Sequence, residues 1–132
     1  MPGRTIISKE LASLLGALAH PHRIRIIEEL GGGERDVNSL QQELGISHSG
    51  VSQNLAVLRA HRLVTERREG RRVIYRLAHP ALAAWLLGGL DFLEHELAQG
   101  DQMRGLLDSV RHQWGRPRQQ EEENGPVGAR RP

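Results

Sequence analysis

Apolar residues recur along this chain in helical stripes, interrupted once by a strand-like alternation. After a loose end over 1–5, Ile7, Leu11, Leu14, Leu15 and Leu18 fall on one face of a first helix. Pro21 suits the first turn of a second helix, where its missing N–H costs nothing. Ile24, Ile27 and Leu30 form the buried face of that helix, with Ile26 beside them, and Gly31 to Gly33 stop it. Asp36 is placed to cap a third helix with Val37, Leu40 and Leu44 inward and Gly45 at its end.

The next stretch, Ile46 to Leu63, reads as a helix with two unlike faces. Ser47 is a side-chain N-cap, and Val51, Leu55 and Leu58 recur at helical spacing. The opposite face carries His48, Ser49, Ser52, Gln53, Asn54 and Arg59, with no carboxylate. Such a face is either plainly solvated or built for the edges of base pairs in a major groove. Two short helices joined by about three residues with a glycine make a helix-turn-helix unit.

After Leu63 the period changes to two. Val73, Tyr75 and Leu77 alternate with Arg72, Ile74 and Arg76, and Glu69-Gly70 breaks the run from the one before it. This predicts a hairpin with arginines at its tip. A long helix should then run from His79-Pro80 to about Gln99. Leu82, Trp85, Leu86, Leu90, Leu93 and Leu97 line one side of it, and Leu87 and Phe92 widen the stripe. That is more apolar surface than one small domain covers. Gly88-Gly89 costs helix propensity but lets another helix come close. Gly100-Asp101 begins a final amphipathic helix with Met103, Leu106, Leu107, Val110 and Trp114. From Gly115 on there is no apolar period, and the tail over 115–132 is expected to be disordered.

Composition narrows the class. The 132 residues suit one domain, and 38% apolar with 26% charged residues is the balance of a soluble protein. No leader and no membrane span is evident, which points to the cytoplasm. The absence of cysteine removes disulfides, thiolate metal sites and thiol redox chemistry. The formal charge is only +2, but Arg59 to Arg76 holds seven arginines against Glu66 and Glu69. There is no Gly-x-Ser-x-Gly, no His-Glu-x-x-His and no glycine loop with a following lysine, so no enzyme is indicated.

Helix, helix, helix-turn-helix, hairpin and long helix follow in that order. The stretches AHPHRIRIIEEL and LQQELGISHSGVSQNLAVLRAHRLVTERREGRRVIYRL resemble the ArsR/SmtB family of bacterial winged-helix repressors, over roughly residues 8–99. The resemblance implies a mainly α fold with a small β-hairpin as the wing. It implies a winged helix-turn-helix domain over 6–99 including dimerisation helices, and the amphipathic spacing adds a further helix over 101–114. It further implies a homodimer packed through the first and long helices, by Leu11, Leu14, Leu15, Leu18, Leu82, Trp85, Leu86, Leu90 and Leu93. Such a dimer would bind double-stranded, inverted-repeat operator DNA and block transcription until an effector acts.

For DNA, Ser49, Ser52, Gln53 and Asn54 are expected at base edges, with His48 and Arg59 close by. Arg67, Arg68, Arg71 and Arg72 are expected at phosphates or the neighbouring minor groove. The helix start at Val37-Asn38-Ser39 could offer backbone donors to a phosphate. Arg62 and Arg76 are expected to pair with Glu66 or Glu43 instead.

The thiol sensor sites of ArsR-like repressors have no counterpart here, because Glu34 to Leu40 holds no cysteine. Asp91 and His95, and again Asp108 and His112, stand four apart. Ordinary surface pairs explain that spacing, and a zinc, nickel or cobalt site is the alternative. His20 and His22 read as capping and packing residues. The remaining alternative for the whole chain is a protein-interaction module whose winged helix no longer binds DNA.

Overall fold

The computed structural model describes residues 2–97 and 100–114. Helix α1 (Pro2–Leu18) begins at Pro2, so the residues expected to be loose form its first turn. Only its last turn is buried, through Ala17 and Leu18. Helix α2 (Pro21–Gly31) is capped by the His20 ring, whose Nδ1 accepts from the backbone N–H of His22 at 3.1 Å. Its core face is Ile26, Ile27 and Leu30, while Ile24 is half-buried.

Strand β1 (Arg35–Asp36) leads straight into helix α3 (Val37–Leu44), where the Asp36 carboxylate accepts from Ser39 N at 2.8 Å. Gly45 closes α3 with φ +67, a left-handed conformation that a side chain would strain, and its N–H reaches Gln41 O at 2.9 Å. Helix α4 (His48–Ala60) follows, with Ser47 Oγ accepting from Gly50 N at 3.0 Å. Val51, Leu55 and Leu58 are fully buried with Leu40, Ile26 and Ile27. Each such side chain contributes about 1.5–3 kcal/mol relative to leaving it in water.

Strands β2 (Val64–Glu69) and β3 (Arg72–Leu77) form the hairpin, with Glu69 opposite Arg72 and Gly70-Arg71 as the tip. The sheet has three antiparallel strands in the order β1-β3-β2, so β3 is central. That moves one expectation. Ile74, placed by alternation among the arginines, is buried, while Val73 and Tyr75 are half-buried. Ile74 lies opposite Asp36 on β1, on a strand that α2 and α3 both approach.

The long helix expected after Pro80 is instead two. Helix α5 (Leu82–Gly88) and helix α6 (Leu90–Leu97) are separated at Gly89, whose N–H turns back to Leu86 O at 2.9 Å. A pair of glycines supplies no propensity to carry the helix through. Helix α7 (Asp101–Trp114) follows.

The chain divides into two compact units, one ending at Ala83 and the other starting at Ala84. In the first, the close of α2 meets the start of α5, and a Cβ on Gly31 would lie 2.7 Å from Ala83 Cβ. In the second, Leu90 and Leu107 are buried, and Arg111 on α7 reaches Asp91 at 2.9 Å and Glu94 at 2.8 Å on α6. None of the described helices is long and apolar enough to cross a membrane. The tail expected to be disordered lies outside the described residues.

Candidate nucleic-acid interface

The candidate reading face depends on how α4 is held. Its buried stripe fixes the rotation of the helix and turns His48, Ser49 and Gln53 to solvent. Ser52 is half-buried beside them. Ser47 is spent on the cap, although its Oγ also lies 3.4 Å from Ser49 Oγ. Ala56 shares the exposed stripe with Ser49 and Gln53, and having no polar group it does not stand out in the sequence. Its position three residues after Gln53 was the available signal.

Asn54 is held from within the protein. Its Nδ2 donates to Gly50 O at 2.9 Å, and its Oδ1 accepts from Arg23 at 3.3 Å. Both ends of the amide are engaged inside the protein, and the residue is half-buried.

The arginines on and beside the hairpin divide in the same way. Arg59, in the last turn of α4, is ion-paired with Glu66 on β2. Arg67 pairs with Glu34 and, at 3.0 Å, with Glu69. Arg72 Nε donates to Asp36 Oδ2 at 3.0 Å. Arg68 and Arg71 are exposed, and among the described residues neither meets a carboxylate. Arg76 donates to Thr65 Oγ1 at 3.1 Å rather than to Glu66 or Glu43, which are taken by Arg59 and by Arg35. The tip itself is Gly70 and Arg71, with Gly70 at φ +64.

Asp36 serves two partners at once. Burial raises its pKa, but hydrogen bonds from Ser39 and Arg72 outweigh burial and hold the carboxyl below its ordinary range. The start of α3 therefore already holds an anion, and the phosphate contact expected at Val37-Asn38-Ser39 would have to compete with it. Across the hairpin Tyr75 faces Glu66 in register, and burial together with its bond to that carboxylate pushes the phenol up to about 12.

The expected dimer residues fall into two groups. Leu11, Leu15, Trp85 and Leu93 are exposed, and Leu14, Leu82 and Leu86 are half-buried. Leu18 and Leu90 are buried in the cores of their own units and so cannot be surface anchors. Ile6 and Ile7 extend the exposed face of α1, and Ile7 is 66% exposed. The residues of the alternative metal site have other neighbours. Asp91 is held by Arg111, and no group of three or more His, Asp or Glu side chains able to hold a metal occurs among the described residues.

A tight-turned pair of helices, a carboxylate-free exposed face and an arginine hairpin can be compared with known proteins. A family profile described as "Helix-turn-helix domain" matches residues 18–67. The transcriptional repressor SmtB of Mycobacterium tuberculosis is 43% identical over 82 residues, 62% of this chain and 60% of the relative. The biofilm growth-associated repressor of Xylella fastidiosa is 40% identical over 83 residues, 63% of this chain and 72% of the relative. The chain belongs to the ArsR/SmtB family. Its members are winged helix-turn-helix transcriptional regulators rather than enzymes, and this ArsR/SmtB protein is a DNA-binding regulator. The homodimeric winged helix-turn-helix DNA-binding domain Mb0332 of Mycobacterium bovis, a possible ArsR-family regulator, has a similar fold. It matches with TM-score 0.62 at 32% identity, over 74% of this chain and 94% of that one.

Proposed function

We propose that this protein is a homodimeric repressor that binds an inverted-repeat operator in the cytoplasm and is controlled by an effector. One observation carries the reading. The solvent face at the start of α4 offers His48, Ser49 and Gln53 with no carboxylate, and Arg68 and Arg71, exposed beside the hairpin tip and without an acidic partner among the described residues, extend from the same unit.

Gln53 is the base reader, since its amide makes two bonds to adenine, and Ser49 and Ser52 add single contacts. Ala56 offers a methyl group to thymine. Arg68 and Arg71 hold phosphates, which positions the protein without reading sequence.

The second copy covers the apolar face of α1, where Ile6, Ile7, Leu11 and Leu15 stand in water, and Trp85, 50% exposed. A homodimeric relative of similar fold supports this assignment. Two-fold symmetry then presents two reading helices to successive turns of the major groove. The effector is not held by thiolates, since the chain has none.

Selection of bound DNA from a random library tests the reading. A two-fold-symmetric consensus bound as a dimer supports it. An asymmetric consensus, or no enrichment, overturns it.

A further inference from the structure

Arg23 stands where three helices meet. Its Nε donates to Ala17 O at 2.6 Å, on the last turn of α1. Its Nη1 donates to Asn54 Oδ1 at 3.3 Å, on α4. The stem rises from α2, in the turn capped by His20. One guanidinium thus bridges the end of α1 to the reading helix.

The link is directional. Asn54 Nδ2 is committed to Gly50 O at 2.9 Å, so its oxygen must face the cation, and flipping the amide would set donors against donors. Ala17 O belongs to the last turn of a helix, where carbonyls lack partners of their own, so Arg23 satisfies an acceptor that needs one. An ammonium is a point charge and cannot span the two acceptors as a planar fork does.

We propose that Arg23 is a positioning residue that sets where the reading helix stands relative to α1. In the dimer proposed above, on which this inference rests, α1 carries the apolar face that meets the second copy. A displacement of α4 relative to α1 is therefore doubled by symmetry into the separation of the two reading helices. Asn54 belongs to this device and not to base reading, and Arg23 and Asn54 act as one unit.

The test compares wild type, Arg23→Lys, Asn54→Ala and the double variant. Each is titrated on the selected operator and on operators whose half-sites are moved apart or together by one base pair. Dimerisation is followed by sedimentation and folding by thermal melting. Both single variants should remain folded dimers, lose about tenfold on the selected operator, as one hydrogen bond of ordinary net strength implies, and lose the preference for its spacing. Affinity for random DNA should stay unchanged. The double variant should be no worse than the poorer single one.

Wild-type spacing preference in both variants overturns the proposal, as does an equal loss on random and operator DNA, or fully additive losses. A variant that no longer folds leaves the other to decide, and failure of both to fold assigns the link to stability alone and overturns the proposal. If wild type itself is monomeric, the dimer reading falls and the spacing role falls with it. A dimeric wild type with unaltered variants removes the Arg23 role only.

Discussion

Asp36 joins the tip end of the wing to the helix-turn-helix through a single carboxylate. One oxygen caps α3 at Ser39 N, 2.8 Å away, and the other takes Arg72 Nε at 3.0 Å. Replacing it by alanine should cost about 1–2 kcal/mol, chiefly the cap. Asp36→Asn keeps an acceptor for Ser39 and loses the ion pair, so it should cost less. Urea denaturation of both variants checks the order.

Acid should undo the same device. The Asp36 pKa is lowered in the fold, so its stabilisation is fully present above the unfolded value of about 3.9 and is lost as pH falls through the folded value. Wild type should lose stability below about pH 4 more steeply than Asp36→Asn, which has no carboxyl to titrate there. Parallel acid melts of the two proteins would remove Asp36 from the account.

Gln53 and Asn54 are neighbours in sequence with opposite assignments. Gln53→Ala should cost about 1–3 kcal/mol on the operator and relax base preference at one position of each half-site. Asn54→Ala should leave base preference intact and disturb half-site spacing instead. Competition binding on single-base operator variants separates them. Loss of base preference in Asn54→Ala would return that residue to the reading face.

Arg71 and Arg67 should differ for a reason of charge. Arg71→Ala should reduce the salt dependence of DNA affinity by about one unit of slope. Arg67 is already compensated by Glu34 and Glu69, so Arg67→Ala should change the slope less. Binding isotherms over a range of salt give both slopes, and equal slopes would mean that DNA displaces the Arg67 carboxylates.

Gly31→Ala tests the close approach of α2 to α5. A Cβ there would sit 2.7 Å from Ala83 Cβ, and neither methyl can rotate away. Overpacking of this kind costs about 1–3 kcal/mol, against which alanine's helix propensity returns at most about 1 kcal/mol. The variant should melt lower than wild type, and adding Ala83→Gly should recover part of the loss.

Local pattern made much of the fold legible. The stripe Val51, Leu55 and Leu58 gave both the helix and the face it turns to water, and Gly45 gave the turn before it. What stayed hidden depends on contacts between distant positions. Strand β1 is two residues long and has no period to detect. Arg67 finds Glu34 from 33 positions away, and Arg72 finds Asp36 from 36. The basic count of the hairpin therefore overstated how many arginines are free for DNA. Asn54 shares its polar character with Gln53, and only Arg23, 31 positions earlier, sets the two apart. The break at Gly89 was visible as a weakness and not as a boundary, because propensity gives a cost and not an outcome.

Acidic partners among the wing arginines have a consequence for how this regulator spends its time. Charge attraction holds a protein to every stretch of DNA alike, and a chromosome offers about a million or more wrong sites for each right one. With Arg67 and Arg72 on the wing, and Arg59 on α4 beside it, each already answered by a carboxylate, the grip on arbitrary sequence is expected to stay light. Fewer copies should then be stranded on unrelated DNA, so that a small cellular supply is enough to keep an operator occupied.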